Sequence, residues 1–211
     1  MLTAIIDYES GNLHSASKAF ARMASEYDAG SVIVTEDADV VARADRIVLP
    51  GDGAFSACHQ ALVASDVYEA LCEAVEVKAR PFLGICVGMQ LMAAEGLEHE
   101  RTKGLGWING KVHKIIPSES QLKIPHMGWN DLIMHKDHPI LSGVSSGDHA
   151  YFVHSYHMCL DQDDSLLAYV EYGGRVTAIV GRDTMLGMQF HPEKSAQVGL
   201  KMILNFLKWT P

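Results

Sequence analysis

The sequence is missing the marks of several protein classes. None of its four cysteines falls in a CxxC pair, so neither a zinc ribbon nor a dithiol redox motif can be drawn through them. No apolar run approaches the ~18 residues of a membrane span. A basic excess is lacking too: 17 Lys and Arg stand against 26 Asp and Glu, a formal charge of −9 at pH 7, the wrong sign for a general nucleic-acid binder. Proline is scarce, at 7 residues, and no linker, repeat or low-complexity tract divides the 211 residues. A single domain over residues 1–211 is therefore expected. "MLTAIIDY" at the start has no signal-peptide h-region. With free thiols, this points to a reducing, cytoplasmic setting.

What is abundant also needs a reading. Eleven histidines raise the question of a metal. His154 and His157 lie three apart on an expected strand, so their side chains leave opposite faces. His135 and His138 sit in "MHKDHP" with no cysteine pair nearby. No metal and no cofactor are expected. The mixed-sign "EHERTK" (98–103) reads as a solvated loop.

The first half alternates between two patterns. "LTAII" (2–6), "SVIVT" (31–35), "RIVLP" (46–50) and "PFLGI" (81–85) are short branched apolar runs without polar alternation, which suits strands buried on both faces of a parallel sheet. Between them, Asn12 to Ser25 spaces Leu13, Ala16, Ala19, Phe20 and Met23 for one helical face. Asp66 reads as the cap of a helix over 67–79, with Val67, Leu71, Ala74, Val75 and Val77 inward. The second half is strand-like and closely spaced: "GLGWINGKVHKI", "WNDLIM", "YFVHSYHMCL", "LLAYVEY", "RVTAIV" and "MLGMQF". "YGGR" (172–175) reads as a two-residue hairpin turn. A last helix over 195–209 carries Val198, Met202, Ile203 and Phe206 on one face. The expected fold is α/β, a mixed and mostly parallel sheet flanked by helices, with an antiparallel extension.

Three motifs carry chemistry. "PFLGICVGMQ" (81–90) runs a strand into Cys86 between Gly84 and Gly88, the pattern of a nucleophile elbow. A helix from Val87 would favour the thiolate and leave the Val87 N–H for an oxyanion. The plain alternative is a packed cysteine at a βα turn. "MLGMQF" runs into His191, Pro192 and Glu193; proline holds His191 extended, so the carboxylate can orient an imidazole base. The alternative there is a helix start with Glu193 complementing its dipole. In "LPGDGAF" (49–55), Gly51 and Gly53 give the loop at Asp52 backbone freedom, and it could supply a second oxyanion donor or be an ordinary strand-to-helix turn.

Together "GICVGMQ", "PGDGAF" and "QFHPEKS" resemble a class I glutamine amidotransferase. "IIDYESGNLHSASKAF", "KGLGWINGKV", "PHMGWN" (125–130) and "YFVHSYH" (151–157) are similar to one branch of that family, the glutaminase subunits of imidazole glycerol phosphate synthases. The resemblance implies the three-layer fold of that family and hydrolysis of L-glutamine to glutamate and ammonia. Cys86, His191 and Glu193 would be the catalytic triad. Asp52 and Val87 would supply oxyanion N–H groups, and Gly51, Gly53, Gln90, Ser155 and Tyr156 would hold substrate. It also implies a partner: a cyclase subunit that receives the ammonia in a heterodimer of histidine biosynthesis, with Asn12 and Trp129 facing it. Trp129 could equally be a core residue. Glu9, Ser10 and His157 depart from what relatives usually carry. Another class I amidotransferase subunit, a different elbow hydrolase with a cysteine, and a silent scaffold are the competing readings.

Overall fold

The computed structural model describes residues 1–9 and 13–211, so Ser10 and Asn12, one of the two expected partner-facing positions, lie outside the described residues. The four branched apolar runs are strands: β1 (Leu2–Ile6), β2 (Ser31–Thr35), β3 (Arg46–Gly51) and β4 (Phe82–Cys86). The later strands are β5 (Ala93–Gly96), β6 (Thr102–Lys103), β7 (Ile108–Lys114), β8 (His126–Asp131), β9 (Ile133–Met134), β10 (His149–His154), β11 (Tyr156–Leu160), β12 (Leu166–Glu171), β13 (Arg175–Arg182) and β14 (Met185–Met188). The helices are α1 (Leu13–Glu26), α2 (Ala38–Arg43), α3 (Phe55–Ala64), α4 (Tyr68–Cys72), α5 (Val87–Gln90) and α6 (Ala196–Lys208).

The main sheet has the order β2-β1-β3-β4-β14-β13-β12-β9. Its pairings are parallel from β2 through β14 and antiparallel beyond. That order dictates where the helices go. The chain steps outward from β1 to β2, then back across β1 to β3, so right-handed crossovers place α1 and α2 on opposite faces. The step from β3 to β4 continues in the second direction and keeps α3 and α4 with α2. Packing agrees: α2 lies against α4, and α1 against α6, where Phe20 and Phe206 meet edge to face at 6.4 Å. The α/β, three-layer expectation holds.

Several local expectations do not. Asp66 caps nothing. Val67 stands at the helix start with no side-chain cap, because Tyr68 N–H already bonds the Ser65 carbonyl and the turn closes there. Past Cys72 the helix widens to a π turn over Glu73–Val77. The wider turn shifts the periodicity, so Val77, expected inward, is 77% exposed. Strand pairing of Glu171 with Arg175 leaves a three-residue loop at 172–174 instead of two, with both glycines at positive φ (62° and 141°). "YFVHSYHMCL" is not one strand. It breaks at Ser155, β10 pairing with β8 in a two-stranded sheet and β11 with β7 in a four-stranded one. A change of hydrogen-bonding partner is not marked by any turn residue such as glycine or proline in this stretch.

Candidate active site

The site lies where the parallel strands of the sheet centre end side by side. β3, β4 and β14 are neighbours, with Gly51 opposite Cys86 and Met188 opposite Ile85. Cys86 has φ 55° and ψ −114°, a conformation that costs an L residue about 1–3 kcal/mol and persists only where its surroundings enforce it. Close backbone packing does so here. A Cβ on Gly88 would lie 1.8 Å from the Leu49 carbonyl oxygen, and one on Gly84 2.5 Å from that of Gly88. Both flanking glycines are therefore steric necessities of the turn. The helix that follows, α5, is a single turn. The expected macrodipole is accordingly small, and an imidazole supplies most of the positive charge near the sulfur.

That imidazole is His191, three residues past β14, extended at φ −94° and ψ 100° ahead of Pro192. Its Nδ1–H donates to Glu193 Oε1 at 2.9 Å, which leaves the other ring nitrogen for the hydrogen bond with Cys86. The backbone is pinned on both sides. His191 N–H donates to the Tyr151 carbonyl. Ser195 Oγ donates to the His191 carbonyl at 2.7 Å and accepts Tyr151 N–H at 2.9 Å. Burial alone would lower the imidazole's pKa. Its hydrogen bonds to Cys86 and Glu193 outweigh that and raise it to about 10, so the ring is a cation at neutral pH. An imidazole hydrogen-bonded to a sulfur and held by a carboxylate is the pairing that a cysteine nucleophile requires.

A cavity of about 220 Å³ opens on the sulfur, walled by Asp52, Gly53, Val87, Gln90, Ser155 and Tyr156 among others. Of the expected substrate-binding residues, only Gly51 is not on its wall. It lies one step behind, where a Cβ would meet Gly88 N at 2.7 Å. The Asp52 carbonyl accepts the thiol of buried Cys58 at 3.6 Å. Gln90 is buried, and its Nε2 donates to the Tyr156 carbonyl at 2.9 Å and to Gln189 Oε1 at 3.0 Å. Gln189 Nε2 in turn lies 3.8 Å from Cys86 Sγ. Trp129 is elsewhere, on β8, 53% exposed and against Tyr151. It is a surface residue, not core.

Sequence reasoning missed three residues here. Glu98, assigned to a solvated loop, accepts Phe55 N–H at 2.8 Å and puts its carboxylate on the cavity wall. Its side chain is only 14% exposed, and the surrounding charges hid it. Gln189 and Ser195 stood inside the quoted "QFHPEKS" without being singled out. A larger cavity, about 630 Å³ and bordered by Asp7, Glu36, Asp37 and Asp66, has neither cysteine nor histidine among its described lining residues. Among the described residues, no group of three or more His, Cys, Asp or Glu could hold a metal ion.

The family model described as "Glutamine amidotransferase class-I" matches residues 4–209. The chain belongs to the class I glutamine amidotransferases. Relatives carry the assignment over the full length. "Imidazole glycerol phosphate synthase subunit HisH" of Ruegeria pomeroyi is 65% identical over 212 residues, covering 100% of both chains. The protein of the same name from Cereibacter sphaeroides is 61% identical, again over 100% of both. Solved structures share the fold at low identity. A glutamine amidotransferase crystal structure has a TM-score of 0.72 at 16% identity, covering 97% of this chain and 98% of that one. The glutaminase domain of Trypanosoma brucei CTPS, with bound acivicin, has a TM-score of 0.64 at 14% identity, covering 100% and 95%. As a class I amidotransferase the chain is an enzyme, and the cavity on Cys86 is its candidate active site.

Proposed function

We propose that residues 1–211 act as one glutaminase domain, the amidotransferase subunit of an imidazole glycerol phosphate synthase, and pass ammonia to a cyclase partner in the cytoplasm. The observation that carries the chemistry is geometric: His191, oriented by Glu193, is hydrogen-bonded to the strained Cys86.

Cys86 Sγ attacks the side-chain amide carbon of L-glutamine. The carbonyl oxygen becomes an oxyanion that the N–H of Val87 and the N–H at Asp52 can hold. The intermediate collapses as His191 gives its proton to the departing nitrogen, releasing ammonia and leaving a γ-glutamyl thioester. Water then attacks that thioester while His191 takes the water's proton. The C–S bond breaks, glutamate leaves, and the thiolate–imidazolium pair is restored. Glu193 keeps the ring's tautomer and orientation throughout. Glu98 matches the α-ammonium of the substrate in charge, and the backbone at Ser155 and Tyr156 suits its carboxylate end. Because Gln90 Nε2 is already engaged, its Oε1 is the atom left to accept from the substrate.

Delivery to a partner rests on the relatives, each named as a subunit of a synthase, and on the exposed face of β8. The test is synthesis by the reconstituted complex. Cys86→Ala is expected to abolish glutamine-dependent product formation and to leave ammonia-dependent formation intact. Survival of the glutamine reaction would remove Cys86 from the mechanism.

A further inference from the structure

Buried beside the site is a line of side chains that the reaction scheme does not use. His126 on β8 stands directly opposite His154 on β10, and both are buried. His126 Nδ1 and His154 Nε2 are 3.0 Å apart. At one end His154 Nδ1 lies 2.8 Å from the Tyr156 carbonyl oxygen. At the other, His126 Nε2 lies 3.2 Å from Asn130 Nδ2, and that nitrogen also donates to the Glu171 carbonyl at 3.1 Å.

The direction of every bond is forced. Asn130 Oδ1 accepts Asp131 N–H at 2.8 Å, so its Nδ2 is the donor toward His126 Nε2. His126 must then carry its proton on Nδ1 and give it to His154 Nε2. His154 carries its own on Nδ1 and gives it to the Tyr156 carbonyl, which can only accept. Both rings are neutral in this pattern. Burial keeps them so, lowering His126 to about 4 and His154 to about 3, the latter against the raising hydrogen bond to the Tyr156 carbonyl. The Tyr156 carbonyl thus receives two donors, His154 Nδ1 and Gln90 Nε2, at the break between β10 and β11.

We propose that His126 and His154 are positioning residues for glutamine binding. Their one-way relay from Asn130 fixes the Tyr156 carbonyl, and through it holds Gln90 and the 155–156 backbone on the cavity wall. This rests on the glutaminase reading above. His154 is on the cavity wall and His126 is not; the bonds above join neither of them to Cys86, His191 or Glu193, so the relay acts on substrate affinity more than on the chemical steps.

The experiment measures glutamate release by the complex with its cyclase, for the wild type, Cys86→Ala, and His154→Leu and His154→Asn. Asparagine keeps a donor near the Nδ1 position, and leucine keeps only bulk. His154→Leu is expected to raise KM for glutamine at least tenfold with kcat within threefold. His154→Asn should recover most of the loss. His126→Leu and His126→Asn should repeat the contrast more weakly, and they decide the matter if His154→Leu does not fold. An unchanged KM in the folded leucine variants, or equal KM increases for leucine and asparagine, would overturn the relay. Activity persisting in Cys86→Ala, or its absence in the wild type, would instead strike the glutaminase reading itself.

Discussion

A single imidazole decides much of the chemistry at the residue scale. His191 is pulled in two directions: burial resists its charge, and Cys86 with Glu193 impose it, ending near 10. The consequence for stability has a definite sign. An unfolded histidine titrates near about 6.5, so between there and about 10 the native state holds a proton that the unfolded chain has lost. Stability from this group is full below the lower value and drains away as pH rises through the higher one. Glu193→Gln removes one of the raising contacts. Its urea midpoint is therefore expected to lie below wild type at about pH 6 and to converge on it only as pH rises past about 10. A gap that widened with pH would contradict the ion pair. This residue pair was legible in "HPEKS", because proline geometry and the i,i+2 spacing are local. Glu98 was not, since its burial depends on meeting the Phe55 N–H across the fold.

In the proposed mechanism the elbow is the element that would make Cys86 a nucleophile, and it holds that residue in a strained conformation. Three strand and helix backbones converge so closely that Gly84 and Gly88 cannot carry a Cβ, and Cys86 absorbs the misfit at φ 55°. At an ordinary buried position, glycine would be less stable than alanine, chiefly through the freedom of the unfolded chain. Here the order is expected to reverse. Both Cys86→Gly and Cys86→Ala lose the sulfur, but glycine alone relieves the backbone. Cys86→Gly should exceed Cys86→Ala by about 1 kcal/mol, or roughly 2–4 °C in Tm, and scanning calorimetry of the two inactive variants compares them directly. The reverse order would mean that the turn is not strained. Elements like this one are legible because glycines mark them. The split of β10 from β11 and the π turn after α4 are not, since one is a change of hydrogen-bonding partner and the other a one-residue slip in pitch.

On the scale of the whole molecule, β8 faces two ways. Successive residues of a strand leave opposite faces. His126 and Asn130 turn inward to the relay, while Met127 and Trp129 stand outward, 61% and 53% exposed. Two large apolar side chains on a free strand face suit the centre of an interface, where tryptophan is a frequent anchor. This places a proposed partner surface and a proposed substrate-positioning device on one strand, separated by its pleat. The two roles should therefore come apart in mutants. Trp129→Ala is expected to weaken binding of the cyclase by about 2 kcal/mol, roughly thirtyfold in Kd, as titration calorimetry would read. Once the complex is saturated, its KM for glutamine should match the wild type. His154→Leu should do the opposite, leaving the Kd alone and raising KM. If Trp129→Ala bound the cyclase as tightly as the wild type, the outward face of β8 would have to be given up as the docking surface.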